Sequence, residues 1–329
     1  MSSALHVVAV GNAIVDILHQ VDDAFLDRHQ IIKGAMQLID EERAIYLTDF
    51  FADATVQPGG SAANSMNGVA SFGGKAGFIG KVADDALGAQ FTETFRDAGV
   101  TFETPARQGP PGTARCIIAV TGDGQRSMNT YLGASTLLEP NDIEKALIER
   151  GQICFLEGYL FDREEAKAAF VRASEYARGA QRRVALTLSD VFCVERHRDS
   201  FAHLVANHVD ILFANEHEIM SLYQTESLAE ALNRARLDCP LTAVTRSEKG
   251  CVIVAGDETV DVPAAPVARV VDTTGAGDLF AAGFLFGQAT GRSLQDCGRL
   301  GAIAAAEVIS HMGPRPEAPL ALLAQAQGL

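Results

Sequence analysis

The sequence predicts an α/β fold in which a mostly parallel sheet is covered on both faces by helices. Two features predict it. Short apolar runs alternate with longer amphipathic ones for most of the 329 residues, and 47% of the residues are hydrophobic, enough to fill a globular core. The apolar runs LHVVAVG (5–11), AGFIG (76–80), QICFLEG (152–158), RVALTLS (183–189), VDILFAN (209–215), LTAVT (241–245) and GCVIVA (250–255) read as strands. Segments 84–98, 163–178 and 195–207 read as the helices between them, and 275–312 as helices whose Ala and Gly content predicts close packing. Two stretches break this rhythm. Residues 13–39 and 101–132 show β-type alternation, and TGDGQ in the second supplies hairpin chemistry. They are expected to form one small β-sheet that acts as a lid beside a single main domain over 1–329.

Composition excludes several functions. A formal charge of −15 with no Lys/Arg run argues against sequence-independent nucleic-acid binding. An anionic substrate stays open, because a site can be locally positive in an acidic protein. The six cysteines, Cys116, Cys154, Cys193, Cys239, Cys251 and Cys297, are scattered without a Cys-x-x-Cys pair, the usage of a reduced compartment. No secretory signal is evident, and no run approaches the roughly 18 apolar residues of a membrane span. The expected setting is cytoplasmic, with no membrane partner.

The chemistry concentrates in VVDTTGAGDLFAAGF (270–284). An apolar run leads into the turn and an apolar helix leaves it, so backbone N–H groups at the helix start form an anion site. Gly275 and Gly277 would admit a phosphate. A carboxylate beside phosphate repels it, so Asp278 makes sense as a proton acceptor from a hydroxyl that attacks that phosphate. From the turn alone, Asp272 and Asp278 could equally be helix and turn caps. The context also suits a dinucleotide site, but no G-x-G-x-x-G follows the first strand and no G-x-x-x-x-G-K-[ST] occurs, which disfavours a Rossmann-type oxidoreductase.

DTTGAGD followed by a small-residue helix resembles the C-terminal signature of the ribokinase-like (PfkB) carbohydrate and nucleoside kinases. GNAIVD (11–16), PGGSAAN (58–64), FANEHE (213–218) and VTRSEKG (244–250) resemble further motifs of that family, in its order. Within it, VDDAFLDRH (21–29), GTARCIIAVTGDGQRSM (112–128) and the stretch 187–218 are most similar to the adenosine-kinase branch, from which Thr274 and Glu157-Gly158-Tyr159-Leu160 depart.

The resemblance implies a ribokinase-like three-layer sandwich, ATP and Mg²⁺, and an alcohol acceptor. It implies Asp278 as general base, and the amides of Gly275, Ala276 and Gly277 as an anion hole. Arg126 matches a lid arginine that would neutralise the transferring phosphoryl group. Asn12, Asp16, Gly60, Ser61 and Asn64 fall at the acceptor, and Thr245, Ser247, Gly250, Thr273 and Thr274 on the ATP side. Asn215 and Glu218 match an element that organises Mg²⁺ through water. Tyr159 and Phe192 are candidates either for stacking on a base or for the core. The expected reaction is phosphorylation of a nucleoside 5′-hydroxyl, adenosine first. A sugar kinase for ribose, fructose or a keto-deoxy sugar acid is the near alternative, and a non-catalytic nucleoside-binding protein the alternative from another class. Activation by a monovalent cation such as K⁺, and monomer against homodimer, stay open at this stage.

Overall fold

The structure, a computed structural model, describes residues 4–51 and 53–329. Its strands in chain order are β1 (Leu5–Val10), β2 (Ile14–Gln20), β3 (Met36–Leu38), β4 (Thr55–Gly59), β5 (Ala76–Ile79), β6 (Thr101–Phe102) and β7 (Ala114–Val120). Then follow β8 (Arg126–Tyr131), β9 (Gly151–Glu157), β10 (Arg183–Thr187), β11 (Ile211–Asn215), β12 (Leu241–Thr245), β13 (Cys251–Ala255) and β14 (Glu258–Val262). Nine of them form one sheet in the order β14-β13-β12-β11-β10-β9-β1-β5-β6, parallel except for the β12–β13–β14 meander.

Side chains on this sheet alternate between two cores. Ile153, Phe155, Ala185 and Phe213 face helices Ser61–Ser71, Ala276–Ala289 and Leu294–Val308. Cys154, Leu156, Val184, Leu186 and Leu212 face the helices between Lys145 and Asp238. Burial on both faces explains why these strands read as unbroken apolar runs. All seven runs read from the sequence are strands, and 84–98, 163–178 and 195–207 match helices Ala86–Asp97, Glu164–Gly179 and Val191–His208. Helix Ala276–Ala289 is buried on nearly every side. Gly283 lies directly against the backbone of Leu300, so the Ala/Gly composition serves close helix packing.

The remaining five strands form a second sheet, β3-β8-β7-β2-β4. It draws on both expected stretches with two differences of boundary. Thr101–Phe102 pairs with β5 in the larger sheet, and Thr55–Gly59 is an additional edge strand. A two-residue strand carries no periodicity, and Pro58 conceals β4, although an edge strand tolerates proline. The alternate faces of this sheet differ in kind. Val15, Ile17, Ile117 and Tyr131 join the main core. Ile14, Leu18, Cys116, Ile118, Val120 and Met128 form a separate apolar cluster, and Asp16, paired with Cys116 across β2 and β7, shares their face. Among the described residues no helix is long and apolar enough to cross a membrane.

Candidate active site

Asn12, Asn215 and Thr245 lie at or just beyond the C-terminal ends of parallel strands, and hydrogen bonds join Ser61 and Asn64 to Asp278 and Arg126 to Thr274. β1 runs on into Gly11 and Asn12, and strand register sets Glu157 beside Thr187 and Asn215 beside Thr245. The chain first extends the sheet from β1 towards β5 and later lays β9 to β12 on the other side. Strand order therefore reverses at β1, where open α/β sheets form a ligand crevice.

Gly275 starts helix Ala276–Ala289 with φ +79°, and a Cβ there would lie 2.8 Å from Pro314 Cα. Gly277 differs: it is exposed, and a Cβ would meet nothing within 4 Å. The first-turn amides of such a helix lack intrahelical acceptors; Ala276 N donates to Thr273 O (3.2 Å), and the space beside Gly277 is open. Asp278 follows in the first turn. Its Oδ1 accepts from Ser61 Oγ (2.6 Å) and its Oδ2 from Asn64 Nδ2 (3.0 Å), while Ser65 Oγ donates to its carbonyl (3.0 Å). Burial raises the Asp278 pKa above the ordinary aspartate value, against the lowering effect of those two side-chain hydrogen bonds. Gly60, with φ +97°, caps helix Ser61–Ser71 against the Asn12 carbonyl and so aims Ser61 and Asn64 at Asp278.

Asp272 organises the turn. Its Oδ1 accepts from Thr274 N (3.0 Å) and Thr274 Oγ1 (2.8 Å), and its Oδ2 accepts from Gly313 N (2.9 Å). Arg126, at the start of β8, donates from Nη1 to Thr274 Oγ1 (2.9 Å) and places Nη2 2.9 Å from Asp272 Oδ2. The Thr274 hydroxyl and the Arg126 guanidinium are thus held inside the fold, while Thr273 is exposed at the turn.

Asn12 is buried, and its Nδ2 donates to Glu157 Oε1 (2.6 Å). Glu157 Oε2 accepts from Ala62 N (2.8 Å), so this carboxylate ties β1 and β9 to the helix carrying Ser61 and Asn64. Burial pushes Glu157 up to about 7. Asp16 is also buried and is pushed up to about 7, first by burial, with Asp278 adding to the rise and Arg315 and Arg126 opposing it.

Asn215 and Glu218 form a reciprocal capping box at the start of helix Glu216–Tyr223: Glu218 N donates to Asn215 Oδ1 (2.9 Å), and Glu218 Oε2 accepts from Asn215 N (2.9 Å). Asn215 Nδ2 also donates to Glu218 Oε1 (2.6 Å). Burial raises Glu218 to about 7, and Asp190 adds to the rise. No group of three potential metal ligands occurs among the described residues. Such a donor set fits a hydrated Mg²⁺ held through its waters rather than an inner-sphere cage. Thr245, Ser247 and Gly250 form the tight connection from β12 to β13, closed by Arg246 N donating to Gly250 O (2.7 Å). Tyr159 and Phe192 are both exposed, which removes the core reading. Tyr159 Oη donates to Ser189 O (3.2 Å), which sets the ring beside the segment that follows β10.

Sequence reasoning assigned no role to Glu157 or Arg315. An acidic residue ending the apolar run QICFLE was the available signal for Glu157. Arg315 follows the last long helix in a Gly-Pro-Arg-Pro segment with no periodicity, and only the fold returns it to the site.

A helix start open at Gly277 and a hydrogen-bonded carboxylate beside it, on an α/β sandwich, have the makings of a phosphotransferase site. The profile of the pfkB family of carbohydrate kinases matches residues 48–320, and the chain belongs to that family. The chain is similar to the crystal structure of a probable sugar kinase from Rhizobium etli CFN 42, with 49% identity, a TM-score of 0.92 and 99% of both chains covered. It is equally similar to adenosine kinase from Sinorhizobium meliloti, with 49% identity, a TM-score of 0.91, and 99% of this chain and 100% of that one covered. Adenosine kinase from Saccharomyces cerevisiae is 26% identical over 93% of this chain and 95% of its own length. The protein is therefore a ribokinase-like phosphotransferase with an alcohol acceptor, and the family implies ATP as donor and a nucleoside or sugar as acceptor.

Proposed function

We propose that the protein transfers the γ-phosphoryl group of ATP to the 5′-hydroxyl of a nucleoside, with adenosine as the acceptor. The observation that carries this reading is the Asp278 carboxylate, oriented by Ser61 and Asn64 one residue beyond the open amide of Gly277. Each carboxylate oxygen keeps a lone pair for a hydroxyl. As the acceptor oxygen bonds to phosphorus, its proton passes to Asp278 and ADP departs. Burial makes this carboxylate a stronger base than a solvated aspartate. The amides of Gly275 and Gly277 serve the anion hole, and that of Ala276, which donates to Thr273 O (3.2 Å), joins them when it exchanges that bond for the phosphate. Mg²⁺, when bound, neutralises the phosphate oxygens, and Asn215 and Glu218 would hold its waters. Thr245, Ser247, Gly250 and Thr273 border the ATP side.

A base-bearing acceptor is supported by the apolar face of the smaller sheet. Ile14, Leu18, Cys116, Ile118 and Met128 share a face with Asp16 and Arg126, both of which act at the site. A free sugar has little apolar surface to bury there, whereas a purine has a broad one. That sheet serves as the lid, closing over the acceptor to exclude water. A sugar kinase is the second reading, favoured by the equal likeness to the probable sugar kinase.

The test is ATP-dependent phosphorylation of adenosine, other nucleosides, ribose, fructose and keto-deoxy sugars, with and without K⁺. Preference for adenosine is the expected result. Preference for a free sugar overturns the nucleoside assignment, and ATP turnover independent of any acceptor overturns the kinase mechanism.

A further inference from the structure

The glycine turn leans on the segment 309–319, which links helix Leu294–Val308 to the last helix, Leu320–Ala326. Ile309 O accepts from Val271 N (2.8 Å) and Asp272 N (3.4 Å). Gly313 N donates to Asp272 Oδ2 (2.9 Å), and Pro314 packs on Gly275. Residues 309–319 contain no helix or strand, so no ladder of backbone hydrogen bonds keeps this support in place.

Two side chains do so instead. Glu307 ends the preceding helix with its side chain 7% exposed. Its Oε1 accepts from Glu317 N (2.9 Å) and Ala318 N (2.8 Å), which ties the far end of the segment to its beginning. Its Oε2 lies 3.2 Å from His311 Nε2. On the other side of the ring, His311 Nδ1 lies 3.2 Å from Met312 O and 3.6 Å from Glu317 Oε1. Both ring nitrogens therefore face oxygen acceptors. A neutral imidazole would turn a lone pair on one of those oxygens, whereas an imidazolium donates from both nitrogens. The charged groups acting on the ring are Glu307 from the helix and Glu317 from the returning segment, both carboxylates. Asp272, on the supported turn, is engaged by Gly313, Thr274 and Arg126. Burial opposes the charge on His311, but the Met312 carbonyl and the two carboxylates outweigh it and hold the pKa above the ordinary histidine value.

We propose that His311, as an imidazolium bridging Glu307 and the Met312 carbonyl, is a positioning residue for phosphoryl transfer that steadies the segment behind Asp272 and Gly275. When the proton leaves, one ring nitrogen meets an oxygen with no hydrogen between them. The bridge opens on that side, Gly313 and Pro314 lose their fixed place, and the turn amides are held less firmly where charge develops. The folded-state pKa is raised, so the bridge is complete below about pH 6.5, the ordinary value, and is lost as pH rises through the higher folded one. The proposal rests on the reading of the glycine turn as the phosphate site and holds for any acceptor.

The experiment compares kcat and both KM values of the wild type, His311→Gln and His311→Arg from about pH 6 to about pH 9, with the wild type's best acceptor. Ratios to the wild type cancel the titration of ATP and of Asp278, which all three share. Gln cannot carry the charge and should lower kcat about 10-fold near pH 6.5, the scale of one charge-assisted hydrogen bond. That deficit should shrink towards pH 9 as the wild type loses its own proton. Arg stays charged throughout, so it should keep kcat within about 3-fold near pH 6.5 and exceed the wild type near pH 9. KM for the acceptor should stay within about 2-fold in all three, because the segment backs the phosphate side. A folded His311→Gln with wild-type kcat near pH 6.5 overturns the inference, as does a deficit equal at both ends of the range or a folded Arg variant no better than Gln. Ring resonances of the histidine-labelled wild type give the ionisation directly, and a His311 that titrates below about pH 6.5 overturns it whatever the variants do. Turnover of Asp278→Asn tests the reading of the turn separately, and the acceptor panel tests the nucleoside reading.

Discussion

Arg126 Nη2 lies 2.9 Å from Asp272 Oδ2, with both side chains less than a tenth exposed, and this pair joins the smaller sheet to the glycine turn. Asp272 is thereby the hub between Arg126, Thr274 and Gly313. Removing one member of a buried pair leaves an uncompensated charge, which costs about 3–5 kcal/mol. Arg126→Met and Asp272→Asn should each destabilise by an amount on that order and lower turnover, and the double variant should lose less than the sum. Urea unfolding of the three variants measures this. Strict additivity would show that the two side chains do not act as a pair.

Gly275 and Gly277 are needed for different reasons. At Gly275 the left-handed backbone and the Pro314 contact both oppose a side chain, whereas at Gly277 the space is open. Gly275→Ala should therefore lower the unfolding midpoint, by about 1–3 kcal/mol in stability. Gly277→Ala should fold like the wild type while its methyl intrudes on the phosphate position, raising KM for ATP and lowering kcat. A Gly277→Ala enzyme with normal kinetics would mean that phosphate does not approach this amide.

Most of the larger sheet was legible in the sequence because its strands are buried on both faces and read as unbroken apolar runs. The smaller sheet was legible only in part. β7 and β8 carry alternation and a hairpin turn, but Met36–Leu38 is too short to show a period and Pro58 disguises Thr55–Gly59. The glycine turn announced itself by composition. The pairings of the site residues did not, since Arg126–Asp272 and Asn12–Glu157 are contacts between segments far apart in the chain. A carboxylate ending an apolar strand, or an arginine in an irregular C-terminal segment, acquires meaning only when the fold closes around it.

Asp278 carries the proposed proton transfer. Asp278→Asn keeps an acceptor for Ser61 and should lower kcat by about 100-fold or more, with little change in acceptor binding. The base works ionised and its pKa is raised by burial, so the acid limb of kcat/KM should lie above pH ~4, the ordinary aspartate value. Asn64 stabilises the ionised form. Asn64→Ala should therefore move that limb further upward. A limb that stays in place, or moves down, removes Asp278 as the titrating group.

Glu157 makes the protein's stability depend on pH in a direction opposite to most paired carboxylates. Its folded pKa is raised by burial to about 7, against about 4.3 when unfolded. Between those values the native state binds more protons than the unfolded state, so this group's contribution is fully favourable below about pH 4.3 and declines as pH rises to about 7. The slope for one such group is at most about 1.4 kcal/mol per pH unit. Glu157→Gln cannot titrate, though it forfeits an acceptor for either Asn12 Nδ2 or Ala62 N. Its deficit relative to the wild type should be largest near pH 5 and shrink steadily towards pH 7.5. Urea unfolding of both proteins across that range reads the difference directly, and a deficit that stays constant with pH would show that Glu157 is ionised throughout, its charge carried by Asn12 and the Ala62 amide alone.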